Sequence, residues 1–128
     1  MKTRNKYYNP NPKKHEVGDC VVRAMCKAME KEWDEVYQDL CSLGMELKAM
    51  PNDDIVWKKY LLENGFQYHK VSNKKGSKRP RVNEFAKDNK EGTYILRVAN
   101  HIVTCVDGYY YDLFDAGSSA LYGYYEKV

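Results

Sequence analysis

Apolar positions recur with a helical period in the first half of the chain and with a strand period near its end. Around residues 20–31, Val21, Val22, Ala24, Met25, Ala28 and Met29 cover most of a helix circumference, which predicts a central, buried helix. Asp19 precedes it as a natural N-cap. A second helix is predicted at about residues 33–42. There Trp33, Val36, Tyr37, Leu40 and Cys41 fall at i, i+3, i+4, i+7 and i+8, and Gly44 lies just beyond. Met50-Pro51-Asn52-Asp53 reads as a turn into a third helix, about 53–63, which Asn64-Gly65 stops. Residues 66–71 alternate as a strand does, and 82–88 fit a short helix packing Val82, Phe85 and Ala86.

Beyond that helix the period changes to two. Residues 93–99 read as a strand, and 102–106 and 109–114 flank Asp107-Gly108, the signal of a type I′ hairpin. A last strand is expected at 121–125. Residues 1–18 form an extended arm, because Asn9-Pro10-Asn11-Pro12 favours turns over a helix start. No internal repeat is visible. Helices followed by an antiparallel sheet define one α+β domain over 1–128, and 128 residues suffice for a real hydrophobic core.

Charge narrows the choice of partners. With 21 basic and 18 acidic residues and a net charge of +3, the surface is mixed, which argues against nucleic acid as the main partner. The basic run at 70–81, with Lys74, Lys75, Lys78, Arg79 and Arg81, reads as a solvated loop before it reads as a phosphate site. Tyr7, Tyr8, Tyr122, Tyr124 and Tyr125 read as sheet packing before they read as stacking platforms. No apolar stretch approaches ~18 residues, so no membrane span is expected. The charged N-terminus lacks the apolar centre of a signal peptide, which predicts a cytoplasmic protein.

Cysteine usage carries the chemistry. Cys20, Cys26, Cys41 and Cys105 form no CxxC pair, and no histidine stands at zinc-ligand spacing from them. Neither a metal, another cofactor nor a disulfide is therefore expected. Cys26, Cys41 and Cys105 fall in apolar runs and read as buried, inert thiols. Cys20 differs by its place. It follows a polar lead-in and opens the first helix, where unpaired N–H groups and the helix dipole favour a thiolate.

His101 opens an apolar strand far downstream, and Asp112 and Asp115 lie on the next one. If Asp107-Gly108 makes a two-residue turn, His101 falls opposite Phe114 and Asp112 lies diagonal to it on the same face. A longer loop or a bulge would set Asp115 opposite His101 instead. Asp115 is favoured as the orienter because it lies at the strand end before Ala116-Gly117, with Asp112 as the alternative. His101 would take the Cys20 proton, the thiolate would attack a carbonyl, and a thioester would form. The Cys20 backbone N–H is one donor for the resulting oxyanion. His15 is a loop residue near this thiol, and His69 sits on a strand without a visible partner.

The stretches Gly18-Asp19-Cys20-Val21-Val22-Arg23-Ala24, Asn100-His101-Ile102-Val103-Thr104 with Asp107-Gly108, and Tyr111-Asp112-Leu113-Phe114-Asp115 resemble papain-like cysteine peptidases. The nearest branch is similar to small bacterial and phage relatives of the peptidases that trim bacteriocin leaders. The resemblance covers the helix start and the C-terminal third; residues 33–92 share only the general order of helices. It implies a papain-like fold with Cys20 as nucleophile, His101 as general base and Asp115 as orienter, acting on a protein or peptide. Such enzymes commonly place a glutamine about six residues before the cysteine as an oxyanion donor. Lys14 stands there in this chain, and Asn9, Asn11 and His15 are the candidates to replace it. The alternatives to hydrolysis are acyl transfer, deamidation or transglutamination at the same thiol. A non-catalytic binding module, such as a phage-encoded inhibitor of a host protein, is a further alternative.

Overall fold

The computed structural model describes residues 4–71 and 78–128. Among them lie, in chain order, β1 (Asn5–Tyr7), α1 (Cys20–Met29), α2 (Trp33–Leu47), α3 (Asp54–Glu63), β2 (Phe66–Lys70), α4 (Val82–Asp88), β3 (Thr93–Val98), β4 (His101–Val106), β5 (Tyr109–Asp112) and β6 (Gly123–Lys127). The strands make one sheet in the order β1-β5-β4-β3-β6-β2. The class is α+β, and the sheet is antiparallel except at one edge. There the N-terminal arm contributes a strand, and β1 pairs with β5 in parallel. Length alone cannot reveal a three-residue strand whose partner lies at the far end of the chain.

Side-chain alternation divides the core in two. Ile95 of β3 and Ile102 of β4 join Val21, Met25, Val36, Leu40, Val56, Trp57 and Leu61 of the first three helices. Their neighbours Leu96 and Val103 point the other way, into a cluster with Val82, Phe85 and Ala86 of α4. The sheet is therefore covered on both faces. Most of the tyrosines expected to pack do so: Tyr124 lies against Phe85 at 4.8 Å and Tyr125 against Trp57 at 5.8 Å between ring centroids.

Two helix ends differ from expectation. α2 runs through Gly44 to Leu47 instead of stopping near Ser42. Gly44 is there because the chain folds back on it: a Cβ at Gly44 would lie 2.6 Å from the Ala49 carbonyl oxygen. The helix stops at Lys48, which takes the left-handed conformation with φ 57°. At the start of α1, Asp19 occupies the N-cap position but its side chain caps no helix N–H. Its carboxylate is committed elsewhere, as described below.

The predicted hairpin forms as a two-residue turn. Asp107 and Gly108 have φ of 49° and 85°, and Val106 pairs with Tyr109 across them. Lys74 and Lys75 of the basic run lie outside the described residues. Arg79 packs over the Tyr122 ring at 4.5 Å, and Arg81 donates to the Ser118 carbonyl. His69, which lacked an evident partner, meets Glu126 of the adjacent strand at 3.0 Å and stacks on Tyr124.

One hydrogen bond fixes α1 against β4. The fully buried Thr104 hydroxyl donates to the Ala24 carbonyl at 2.7 Å. That oxygen lies mid-helix and keeps its own helical N–H partner, so removing the hydroxyl orphans nothing. Thr104→Val is therefore expected to lower unfolding free energy by about 1 kcal/mol, measured by urea denaturation.

Candidate active site

Three element ends meet at one place. α1 begins at Cys20, which sets the thiol in the first helical turn. β4 begins at His101, immediately after the turn residues Ala99-Asn100, where Val98 pairs with His101. Asn100 takes a left-handed φ of 54°, a conformation that asparagine tolerates well. β5 ends at Asp112, next to the Tyr111 that pairs with Thr104.

The His101 ring sits between sulfur and carboxylate. Its Nε2 lies 2.5 Å from Asp112 Oδ2, and the ring and the Cys20 thiol shift each other's protonation. Since Nε2 is occupied by Asp112, Nδ1 is the nitrogen left to face the sulfur. Burial pushes the Cys20 thiol up, but opposing influences outweigh it. The His101 hydrogen bond, the Ile102 backbone, and the charges of His101 and Arg23 together hold the thiol below its ordinary value. Burial also disfavours imidazolium, yet hydrogen bonds to Asp112 and Cys20 raise His101 to about 9. The two shifts run in the same direction, toward a negative sulfur beside a positive ring.

Behind the imidazole lies a buried row of charges. Arg23 Nη2 is 3.0 Å from Asp112 Oδ1, and Arg23 Nη1 is 2.8 Å from Asp19 Oδ1. Trp33 Nε1 donates to the other Asp19 oxygen at 2.9 Å. This is why Asp19 caps nothing. Arg23 interrupts the apolar stripe of α1; Asp19 stands four residues before it, but Asp112 is brought beside it only by tertiary structure.

The structure puts Asp112, not Asp115, against His101. The tight Asp107-Gly108 turn decides this, since the extra loop residue or bulge that would advance Asp115 is absent there. Asp115 Oδ1 instead accepts from the Tyr110 hydroxyl at 2.7 Å and from the Gly117 N–H at 2.8 Å, closing the turn after β5.

Cys20 and His101 open onto a cavity of about 460 Å³ whose walls include Gly18, Asn52, Trp57 and Arg97. The three oxyanion candidates of the lead-in are not on its walls. Asn9 spends its side chain on the Asn11 N–H and the His15 carbonyl, Asn11 accepts from the Lys13 N–H, and His15 is exposed. The lead-in is folded on itself by these local bonds. Asn52, in the turn before α3, does line the cavity. No sequence spacing linked that turn to the thiol.

The other thiols have different surroundings. Burial pushes Cys26 and Cys105 up to about 12, whereas Cys41 is only half-buried. Among the described residues, no group of three His, Cys, Asp or Glu side chains is arranged to hold a metal ion. No helix there is long and apolar enough to cross a membrane. Comparison of the chain with protein-family models, with curated proteins and with solved structures finds no match.

The contrast between the two aspartates is measurable. Asp112→Asn removes the charge that holds the imidazolium, so alkylation of Cys20 by iodoacetamide at pH 6 should fall at least tenfold. Asp115→Ala should leave that rate unchanged and lower stability by about 1–3 kcal/mol through its two lost hydrogen bonds. Rates come from mass spectrometry of the labelled protein and stabilities from urea denaturation.

Proposed function

We propose that this chain is a papain-like cysteine hydrolase that cleaves amide bonds of a protein or peptide. The observation that carries the reading is the placement of Cys20 and His101 together on the wall of one open cavity, with buried Asp112 hydrogen-bonded to the ring behind them. A buried structural cysteine would have a raised pKa, as Cys26 and Cys105 do, and Cys20 does not.

The chemistry follows from these groups. The Cys20 thiolate attacks the carbonyl carbon, a C–S bond forms, and the carbonyl π electrons move to oxygen. The Cys20 backbone N–H, in the first helical turn, is one donor for that oxygen, and Asn52 of the cavity lining is the candidate for a second. As the C–N bond breaks, the His101 imidazolium gives its proton to the departing amine. The neutral ring then takes a proton from water, whose oxygen attacks the thioester. The acid leaves and the thiolate is restored. Asp112 holds the ring in its working tautomer throughout. If an amine takes the place of water in the second half, the same groups carry out acyl transfer.

Alkylation across pH tests the reading. Cys20 should react rapidly with iodoacetamide well below the ordinary thiol range. The rate should stay level until pH approaches about 9, where His101 loses its proton. Cys20→Ser should abolish the fast phase. Hydrolysis of a cleavable peptide should instead fall above about 9, because the proton for the leaving amine is lost there. A thiol that labels with the pH dependence of free cysteine would sink the proposal and favour a binding module. Trapping of the acyl-enzyme by an added amine in preference to water would identify an acyltransferase.

A further inference from the structure

We propose that Arg23 is a positioning residue of the thiol site: its guanidinium bridges two buried carboxylates and so presents one fixed oxygen of Asp112 to His101. The proposal rests on the Cys20–His101 reading above.

The geometry leaves Asp112 little freedom. Its Oδ1 is paired with Arg23 Nη2 at 3.0 Å and accepts from the Leu113 N–H at 2.8 Å, so Oδ2 is left for the ring. Rotation of the carboxylate would break bonds on both sides. Arg23 is held in turn by Asp19, and Asp19 by the Trp33 indole. The side chains of Arg23, Asp19 and Asp112 are 5%, 7% and 1% exposed, so water cannot replace a lost partner.

Stability alone does not account for such a row. Buried ion pairs are often no more stabilising than apolar groups of the same volume, because desolvation offsets the attraction. A planar, forked donor that fixes two carboxylates at once does supply orientation, and lysine cannot reproduce it. The row also sets the balance of charge around sulfur. Arg23 of α1 and His101 of β4 act on the sulfur, while Asp19 at the N-cap and Asp112 of β5 are held against Arg23 and the ring. The Asp54–Arg97 pair stands across the cavity at 3.4 Å. Without Arg23, two buried carboxylates and a thiolate would share one imidazolium. Each consequence has the same sign: the loss of a cation, a less well held Asp112 and an unbalanced carboxylate all favour the protonated thiol.

The test compares Arg23→Met and Arg23→Lys with the parent chain, using iodoacetamide labelling of Cys20 from pH 5 to 10 and thermal melts to verify folding. Arg23→Met should lower the rate at pH 6 at least tenfold and move the profile to higher pH. Arg23→Lys keeps the charge but not the fork and should fall between. A purely structural Arg23 would change the melting temperature and leave the pH profile of the folded protein in place, and that result overturns the proposal. If Arg23→Met does not fold, Arg23→Lys decides: an unshifted profile overturns the role, and a shifted one supports it. If the parent chain itself shows no fast labelling at low pH, the thiol reading fails before Arg23 is in question.

Discussion

The constraint on which the site depends is the burial of a guanidinium at the junction of helix and sheet. Arg23 lies one turn into α1 with its side chain 5% exposed, facing the end of β5. A charge there must have partners, since an isolated one would cost several kcal/mol. Asp19 supplies one from the same helix, and Asp112 supplies the other from a strand formed near the far end of the sequence. The helix cannot slide or rotate against the sheet without stranding one of the three charges. Thr104 adds a second tie between α1 and β4. Polar links of this kind select one packing arrangement from the several that an apolar interface of Val21, Met25 and Ile102 would tolerate.

That packing arrangement decides the chemistry of the nearest sulfur. Cys26 and Cys20 sit on the same helix, six residues apart by numbering, yet burial drives one thiol up while the other is held down. The helix dipole is shared between them but weakens away from the first turn. The rest of the difference is the imidazole, which reaches Cys20 because β4 begins where α1 begins. A ring between a thiol and a carboxylate does more than a nearby cation would, because each hydrogen bond fixes the proton position for the other.

Much of this was legible along the chain. The stripe Trp33, Val36, Tyr37, Leu40 predicted α2, and Asp107-Gly108 predicted a turn whose two positive φ values appear as expected. Cys20, His101 and an aspartate on the next strand were picked out because their places follow from local signals: a helix start, a strand start, a hairpin register. What stayed hidden depends on contacts between distant residues. Asp112 and Asp115 differ only by whether a bulge exists, and apolar alternation cannot report one. Arg23 sits within an apolar run; its spacing from Asp19 is local, but its link to the site exists only once Asp112 is placed beside it. Asn9, Asn11 and His15 are close to the thiol in sequence, yet the Asn9 and Asn11 side chains are held by backbone groups of the lead-in and His15 is exposed.

The position of Asn52 shows how a missing side chain need not mean a missing role. Lys14 stands where a glutamine would be expected, and a flexible ammonium in the lead-in is a poor substitute for a fixed amide donor. The turn before α3 places Asn52 in the same cavity lining as Gly18 and Cys20. Stabilising an oxyanion requires only that donors converge where negative charge develops, and it does not depend on which loop carries them. On the proposed reading, the helix-start N–H and Asn52 are the groups that would meet that requirement in place of an upstream glutamine. On that reading the cleft has its nucleophile and proton carrier on the central helix and the sheet, and part of its wall on a turn that can differ in sequence without disturbing either.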